Sequence, residues 1–259
     1  MTEVGETGDF DKKKQKYFSR LGLSVRESFD LHKKAGLWDR VPESSKRDWG
    51  NVSEHCLVEV ARVGVFSKLL GLSDKVSGEL AEAAAMHDFY KKGEIETARA
   101  AGFTWESFNE ASDKATKMMR ENGVGGSVVR LVNSIGHYSL NEVQEVLNKP
   151  ELGDADLAYL VMHYVDDYTI NADWAVGGDI IGERMKNNAN NPRYAQINET
   201  GRQHFNGETA YEAQARVGHA VQDRLAHEIS NRAGINVEPM ELPIYVDNRI
   251  REQINETGI

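Results

Sequence analysis

The chain is poor in the residues that cross-link or interrupt a fold. Its 259 residues include one cysteine, Cys56. A single thiol excludes a disulfide framework and a cysteine-built zinc site, and it fits a reducing cytosol. Five prolines leave long stretches free to continue as helix. Long apolar runs are missing too: Val63 to Leu72 is broken by Ser67 and Lys68, so no segment reads as a membrane span. The first eleven residues are polar and acidic, unlike a signal peptide, and read as a mobile segment. Positive charge is also short, with 31 Lys and Arg against 41 Asp and Glu and a net charge of -10. That balance argues against nucleic acid as a partner, which needs clustered cations, but it leaves room for a small basic pocket for a phosphate. The expectation is a cytoplasmic protein that works away from membranes.

What is present points to helices. Hydrophobic residues make up 40% and charged residues 28%, a balance that supports a packed core and argues against global disorder. Apolar positions fall at helical spacing from Lys12 to Ala35, with Gly36 as a stop and a turn region from Pro42. Asn51 and Glu54 resemble a capping box ahead of a helix that carries Leu57, Val60, Ala61, Val65 and Leu69 and ends near Gly71. Further helices are expected over 75–90, 104–122, 127–136, 140–148, 155–170 and 208–233. Residues 171–207 read as loops around short helices, and 242–246 as a short extended tail. No long alternating strand pattern occurs, so the fold class is all-α.

Polar residues stand where apolar ones are expected. His87 and Asp88 close the small-residue helix that contains Ala83, Ala84, Ala85 and Met86. Such a helix is suited to close burial, and buried charge is unfavourable unless it is paired or bound to a metal. His55 lies in the first turn of the preceding helix. His163 shares a helix face with Asp166 and with Asp167, and spacing alone leaves both aspartates open. His137 adds another imidazole. Imidazole and carboxylate together suit divalent transition metals such as Mn, Fe, Ni, Co or Zn. Lys91 and Lys92 follow at a helix end, where the dipole itself favours cations. Arg47 and Trp49 are candidates for a substrate pocket or for simple packing. His219 and His227 share one face of the C-terminal helix and read as part of an exposed or interface surface.

The order His … His-Asp … Asp resembles the HD superfamily of metal-dependent phosphohydrolases. Three blocks carry the likeness: Val52-Ser53-Glu54-His55, His87-Asp88-Phe89-Tyr90-Lys91, and His163 to Thr169, where the alignment favours Asp166. The likeness covers about residues 50–170. It implies an HD-like helical bundle with helical N- and C-terminal extensions, divided as 1–45, a catalytic domain over 46–180, and 181–259. In the last part a long helix packs on the core or forms a homodimer interface.

The resemblance also implies a metal held by His55, His87, Asp88 and Asp166. Asp88 and Lys91 would be the catalytic residues, with Lys91 contacting a phosphate or orienting the attacking water. His137 and His163 stand where some members carry ligands for a second ion. Three departures separate this chain from particular branches. Phe89-Tyr90 replaces the Ile-Gly common in the cyclic-dinucleotide branch, Tyr164 replaces a second histidine, and Lys91 stands where the deoxynucleotidase branch prefers an acid. The expected activity is metal-dependent hydrolysis of a phosphate ester, a nucleotide or related small metabolite. The alternatives are a di-iron oxygenase on the same scaffold and a non-catalytic nucleotide-binding module.

Overall fold

A computed structural model describes residues 16–37 and 50–257. The expected mobile N-terminal segment, the turn at Pro42, Arg47, Trp49 and the Asn51 side chain of the expected capping box lie outside the described residues. Among those described, every regular element is helical. None of these helices is long and apolar enough to cross a membrane.

Helix α1 (Leu23–Lys34) is followed by α2 (Gly50–Leu70) and α3 (Asp74–Met86). Along α2, Val52, Cys56, Val60, Val63, Phe66 and Leu70 recur at helical spacing and are all buried. A second buried row on the same helix is polar: His55, Glu59 and Arg62. After Gly71, whose φ of 62° suits the left-handed C-terminal position, α3 returns against α2. Ala83, Ala84 and Ala85 are fully buried, and their short side chains allow close approach of the neighbouring helices.

The helix expected over 75–90 ends at Met86, and residues 87–90 form a turn before α4 (Lys91–Ala101), which the periodicity does not reveal. His87 and Asp88 therefore sit at a corner between two helices. Tyr90 folds back over Gly93, where an added Cβ would meet the ring at 2.5 Å. His32 braces this corner from α1, donating from Nε2 to the Ala85 carbonyl at 2.7 Å while Ser53 donates to its Nδ1 at 3.0 Å.

Next come α5 (Trp105–Glu121), α6 (Gly126–Val132), α7 (Leu140–Leu147) and α8 (Asp154–Tyr168). Every residue of α8 from Leu157 to Tyr168 is buried. It is the central helix of the core, which is why its sequence is apolar all round apart from His163, Asp166 and Asp167.

The C-terminal part adds α9 (Ile180–Ala189), α10 (Ala195–His204), α11 (Ala210–Ala233) and α12 (Leu242–Thr257). Helix α11 begins with a capping box. Thr209 Oγ1 accepts from the Glu212 N–H at 3.1 Å, and the Glu212 carboxylate accepts from the Thr209 N–H at 2.8 Å. Val217, Val221, Leu225 and Ile229 then bury one face against the core. The extended tail expected at 242–246 is instead the start of α12. Its Pro243 falls in the first turn, where no N–H is needed, and Leu242, Val246 and Ile250 line a buried face.

Candidate metal centre

The α2–α3 pair, the corner after α3 and the central helix α8 converge on one cluster. His55 and Glu59 come from successive turns of α2, His87 from the corner and Asp166 from the last turn of α8. All four are buried, and one ligand atom from each lies within 4.8 Å of the others. His55 Nε2 is 3.1 Å from Glu59 Oε1 and 3.7 Å from Asp166 Oδ1. His87 Nε2 is 3.8 Å from Asp166 Oδ1 and 4.0 Å from Asp88 Oδ2. Bonds of about 2.0–2.2 Å to one ion allow two ligand atoms to stand up to roughly 4.2 Å apart. The separations of 3.1–3.8 Å fall within that limit, and the group as a whole spans no more than 4.8 Å.

The imidazoles are oriented by their other nitrogens. His55 Nδ1–H donates to the Asn171 carbonyl at 2.7 Å, and His87 Nδ1–H to the Ala84 carbonyl at 3.0 Å, with Glu59 Oε2 3.3 Å away. Each ring thereby presents Nε2 to the cluster, the arrangement seen when histidines serve a metal. Both Glu59 oxygens and His87 Nε2 are buried without a hydrogen-bond partner. Buried polar atoms are almost always satisfied, so unbonded atoms within a group that could hold a metal ion are consistent with a cation site.

The electrostatics agree. Burial opposes a charge on His55, but Glu59 and Asp166 outweigh it and push its pKa up to about 10. Burial likewise opposes protonation of His87, yet Cys56, Glu59 and Asp88 hold its pKa well above the ordinary value. Burial raises Asp166, and Arg184 followed by His55 and His87 brings it far below the carboxylate range. The carboxylates of the site keep protons on both imidazoles.

Asp88 is half-buried beside this cluster. Its Oδ1 is 3.3 Å from Lys91 Nζ, which also lies 3.1 Å from Glu94 Oε1. Burial would raise the Asp88 pKa, but Lys91, His87 and His55 together lower it. Asp88 and Lys91 line a cavity of about 760 Å³ that also reaches His55, His87 and Asp166. Arg99, Arg184 and Arg193 add positive charge to its walls. Arg184 donates from Nη1 to the Asp166 carbonyl, and also to that of Thr169 at 3.3 Å.

The structure brings His55, His87 and Asp166 together and sets Asp88 at their edge. Asp167 turns the other way, into a second buried group. There His163 Nε2 is 3.3 Å from Asp167 Oδ2, His163 Nδ1–H donates to Ser134, and Gln214 donates to Asp167 Oδ1 at 2.6 Å. His137 lines the cavity among aromatic rings, and burial holds its pKa down to about 3. Neither His137 nor His163 joins a metal-binding group among the described residues.

Glu59 and Arg184 were not singled out from the sequence. Glu59 has a visible signal, because it stands four residues after His55 among the apolar residues Val58, Val60 and Ala61. Arg184 has none, since only the packing of α9 carries it to Asp166.

No protein-family model, no curated protein and no solved structure matches this chain. Fold and site together define an all-α protein with a buried histidine–carboxylate centre able to hold a metal ion.

Proposed function

We propose that the chain is a metal-dependent phosphohydrolase of the HD type, acting on a phosphate ester of a nucleotide or related small metabolite. One observation carries this reading: a buried His55–Glu59–His87–Asp166 cluster, in which the Glu59 oxygens and His87 Nε2 lack hydrogen-bond partners, opens onto a cavity lined by Lys91, Arg99, Arg184 and Arg193. His55, His87 and Asp166 would hold the ion, with Glu59 or Asp88 completing the set. A divalent ion there supplies Lewis-acid polarisation of a phosphoryl oxygen and acidifies an attacking water.

The chain's own side chains supply the rest. Asp88, ionised beside Lys91, would receive a proton from water within the cavity. Lys91 and Arg184 neutralise phosphoryl charge near the cluster, where partial burial strengthens each contact. Glu59 and the Asn171 carbonyl hold the two imidazoles in place. The described residues contain a single group of this kind, which favours a one-ion hydrolase over a two-iron oxygenase.

A screen of phosphate monoesters and diesters with Mn, Fe, Co, Ni and Zn tests the reading. Turnover is expected to vanish with chelator and to fall at least about 100-fold in His87→Ala and Asp88→Ala. Full turnover in both variants would overturn it.

A further inference from the structure

The cations on the cavity wall are not equally engaged. Lys91 is held between Asp88 at 3.3 Å and Glu94 at 3.1 Å. Arg184 is anchored on the Asp166 and Thr169 carbonyls, and the Asp166 charge stabilises it. Arg99 and Arg193 line the same cavity, yet neither guanidinium has a hydrogen-bond or ion-pair partner among the described residues. Several arginines elsewhere pair with carboxylates, as Arg130 does with Glu142, Arg216 with Glu208 and Arg249 with Glu252. In a chain with a net charge of -10, two unpaired cations on one cavity are a local excess of positive charge that an anion can neutralise.

Helix α4 sets the position of this excess. Lys91, Glu94, Ile95 and Arg99 fall on one helix face and all line the cavity, which therefore runs along α4. Lys91 is the first residue of the helix, beside the metal centre, and Arg99 lies in its last turn. At about 1.5 Å per residue the two stand roughly 12 Å apart along the axis. Arg193 reaches the same end from a different element, the 3₁₀ turn Pro192–Tyr194, and its guanidinium lies 5.0 Å from the centre of the Phe103 ring. Phe103 follows α4 directly after Gly102 with a φ of 57°, a left-handed conformation unfavourable for an aromatic residue, and the ring held there is what Arg193 rests on. The dipole of α4 accounts for a cation at Arg99 but not for Arg193.

We propose that Arg99 and Arg193 form a second anion subsite, so that the ligand of this cavity is an elongated molecule with two acidic groups. One group lies at the metal centre, and the other, a phosphate or a carboxylate, lies on the order of 10 Å away at the far end of α4. A cavity of about 760 Å³ has room for such a molecule. Hydrolysis at the first group rests on the phosphohydrolase reading. Capture of the second group does not.

The test uses α,ω-alkane bisphosphonates of increasing chain length, titrated by calorimetry into the full chain with metal removed, because bisphosphonates chelate divalent ions. Alkylphosphonates of the same lengths carry one acidic end, and ω-carboxyalkylphosphonates carry a carboxylate at the remote end. Affinity is expected to peak at a span of roughly 10–12 Å, where the bisphosphonate binds about tenfold or more tighter than the alkylphosphonate. Arg99→Gln and Arg193→Gln remove charge at exposed positions, where folds tolerate substitution. Each is expected to weaken the best bisphosphonate about fivefold or more and to shrink its advantage over the alkylphosphonate. A carboxyalkylphosphonate that keeps the advantage names a carboxylate as an accepted remote group, and one that loses it names phosphate.

Equal affinity of bisphosphonates and alkylphosphonates at every length would overturn the subsite, as would an advantage that persists in the Arg99→Gln/Arg193→Gln double variant. An advantage that depends on both arginines, with no turnover of any phosphate ester, would leave the subsite standing and remove the phosphohydrolase reading. Turnover of phosphate monoesters with a kcat/KM indifferent to a remote acidic group and to both substitutions would do the reverse.

Discussion

Two imidazoles that face two buried carboxylates hold protons tightly until a cation replaces them. With the His55 pKa near 10 against an ordinary 6.5, metal uptake at neutral pH must displace protons. Calorimetric titration with Zn or Mn at pH 7, repeated in buffers of different ionisation enthalpy, is expected to show about one to two protons released per ion. Heats that do not depend on the buffer would contradict this. The same groups shape stability in the metal-free protein. The raised His55 pKa stabilises the fold fully below 6.5, and that contribution is lost as pH rises towards 10. The depressed Asp166 pKa stabilises the fold above 3.8, and that contribution is lost as pH falls below it. From these two groups, chemical denaturation of the metal-free chain should give its highest stability between about pH 4 and 6.5. Glu59→Gln keeps the shape but removes a charge, and it is expected to weaken metal binding about 10- to 100-fold, read from competition with a chromogenic chelator.

Helix α12 acts on the centre without touching it. Asp247 from α12 pairs with Arg62 on α2, one turn beyond Glu59, at 2.8–2.9 Å, and both side chains are only 1% exposed. Arg62 also donates to Thr169 Oγ1 at 2.7 Å and to the Asp173 carbonyl at 2.9 Å, and Asp247 accepts from the Ala175 N–H at 2.6 Å. This clasp spans the segment whose Asn171 carbonyl orients His55. Asp247→Ala leaves Arg62 buried and unpaired, and urea denaturation should show a loss of about 3–5 kcal/mol. A loss below about 1 kcal/mol would mean that the clasp is not formed.

None of this clasp was legible in the sequence, because Arg62 and Asp247 are far apart in the chain and only tertiary packing joins them. Most helices were legible, since α2, α5, α8 and α11 carry clear periodicity or capping signals. Helix α12 was read as a strand-like tail because Pro243 and Val246 suggest an extended run locally, whereas the buried face is visible only out to Ile250. The His-Asp corner was placed inside a helix because nothing local shows that the chain turns at Met86. Spacing left Asp166 and Asp167 open and the resemblance to the HD superfamily favoured Asp166, whereas His55 and His87 were recognisable because polar groups on small-residue or apolar helices require an explanation. Glu59 carried the same signal.

At the scale of the whole molecule, three segments distant in the chain must pack before the centre exists, so binding an ion reports on the complete fold. Saturation at about 100 times Kd adds roughly 2.7 kcal/mol of stability, visible as a rise in Tm that chelator reverses. His87→Ala should lose this response. The most direct measurement is the number and identity of ions per chain after purification without added metal, followed by loading and removal of excess. The expected result is about one divalent ion per chain, absent from His87→Ala and from Asp166→Asn. A chain that takes up none of Mn, Fe, Co, Ni or Zn, or whose variants retain the ion, would contradict the assignment of the centre.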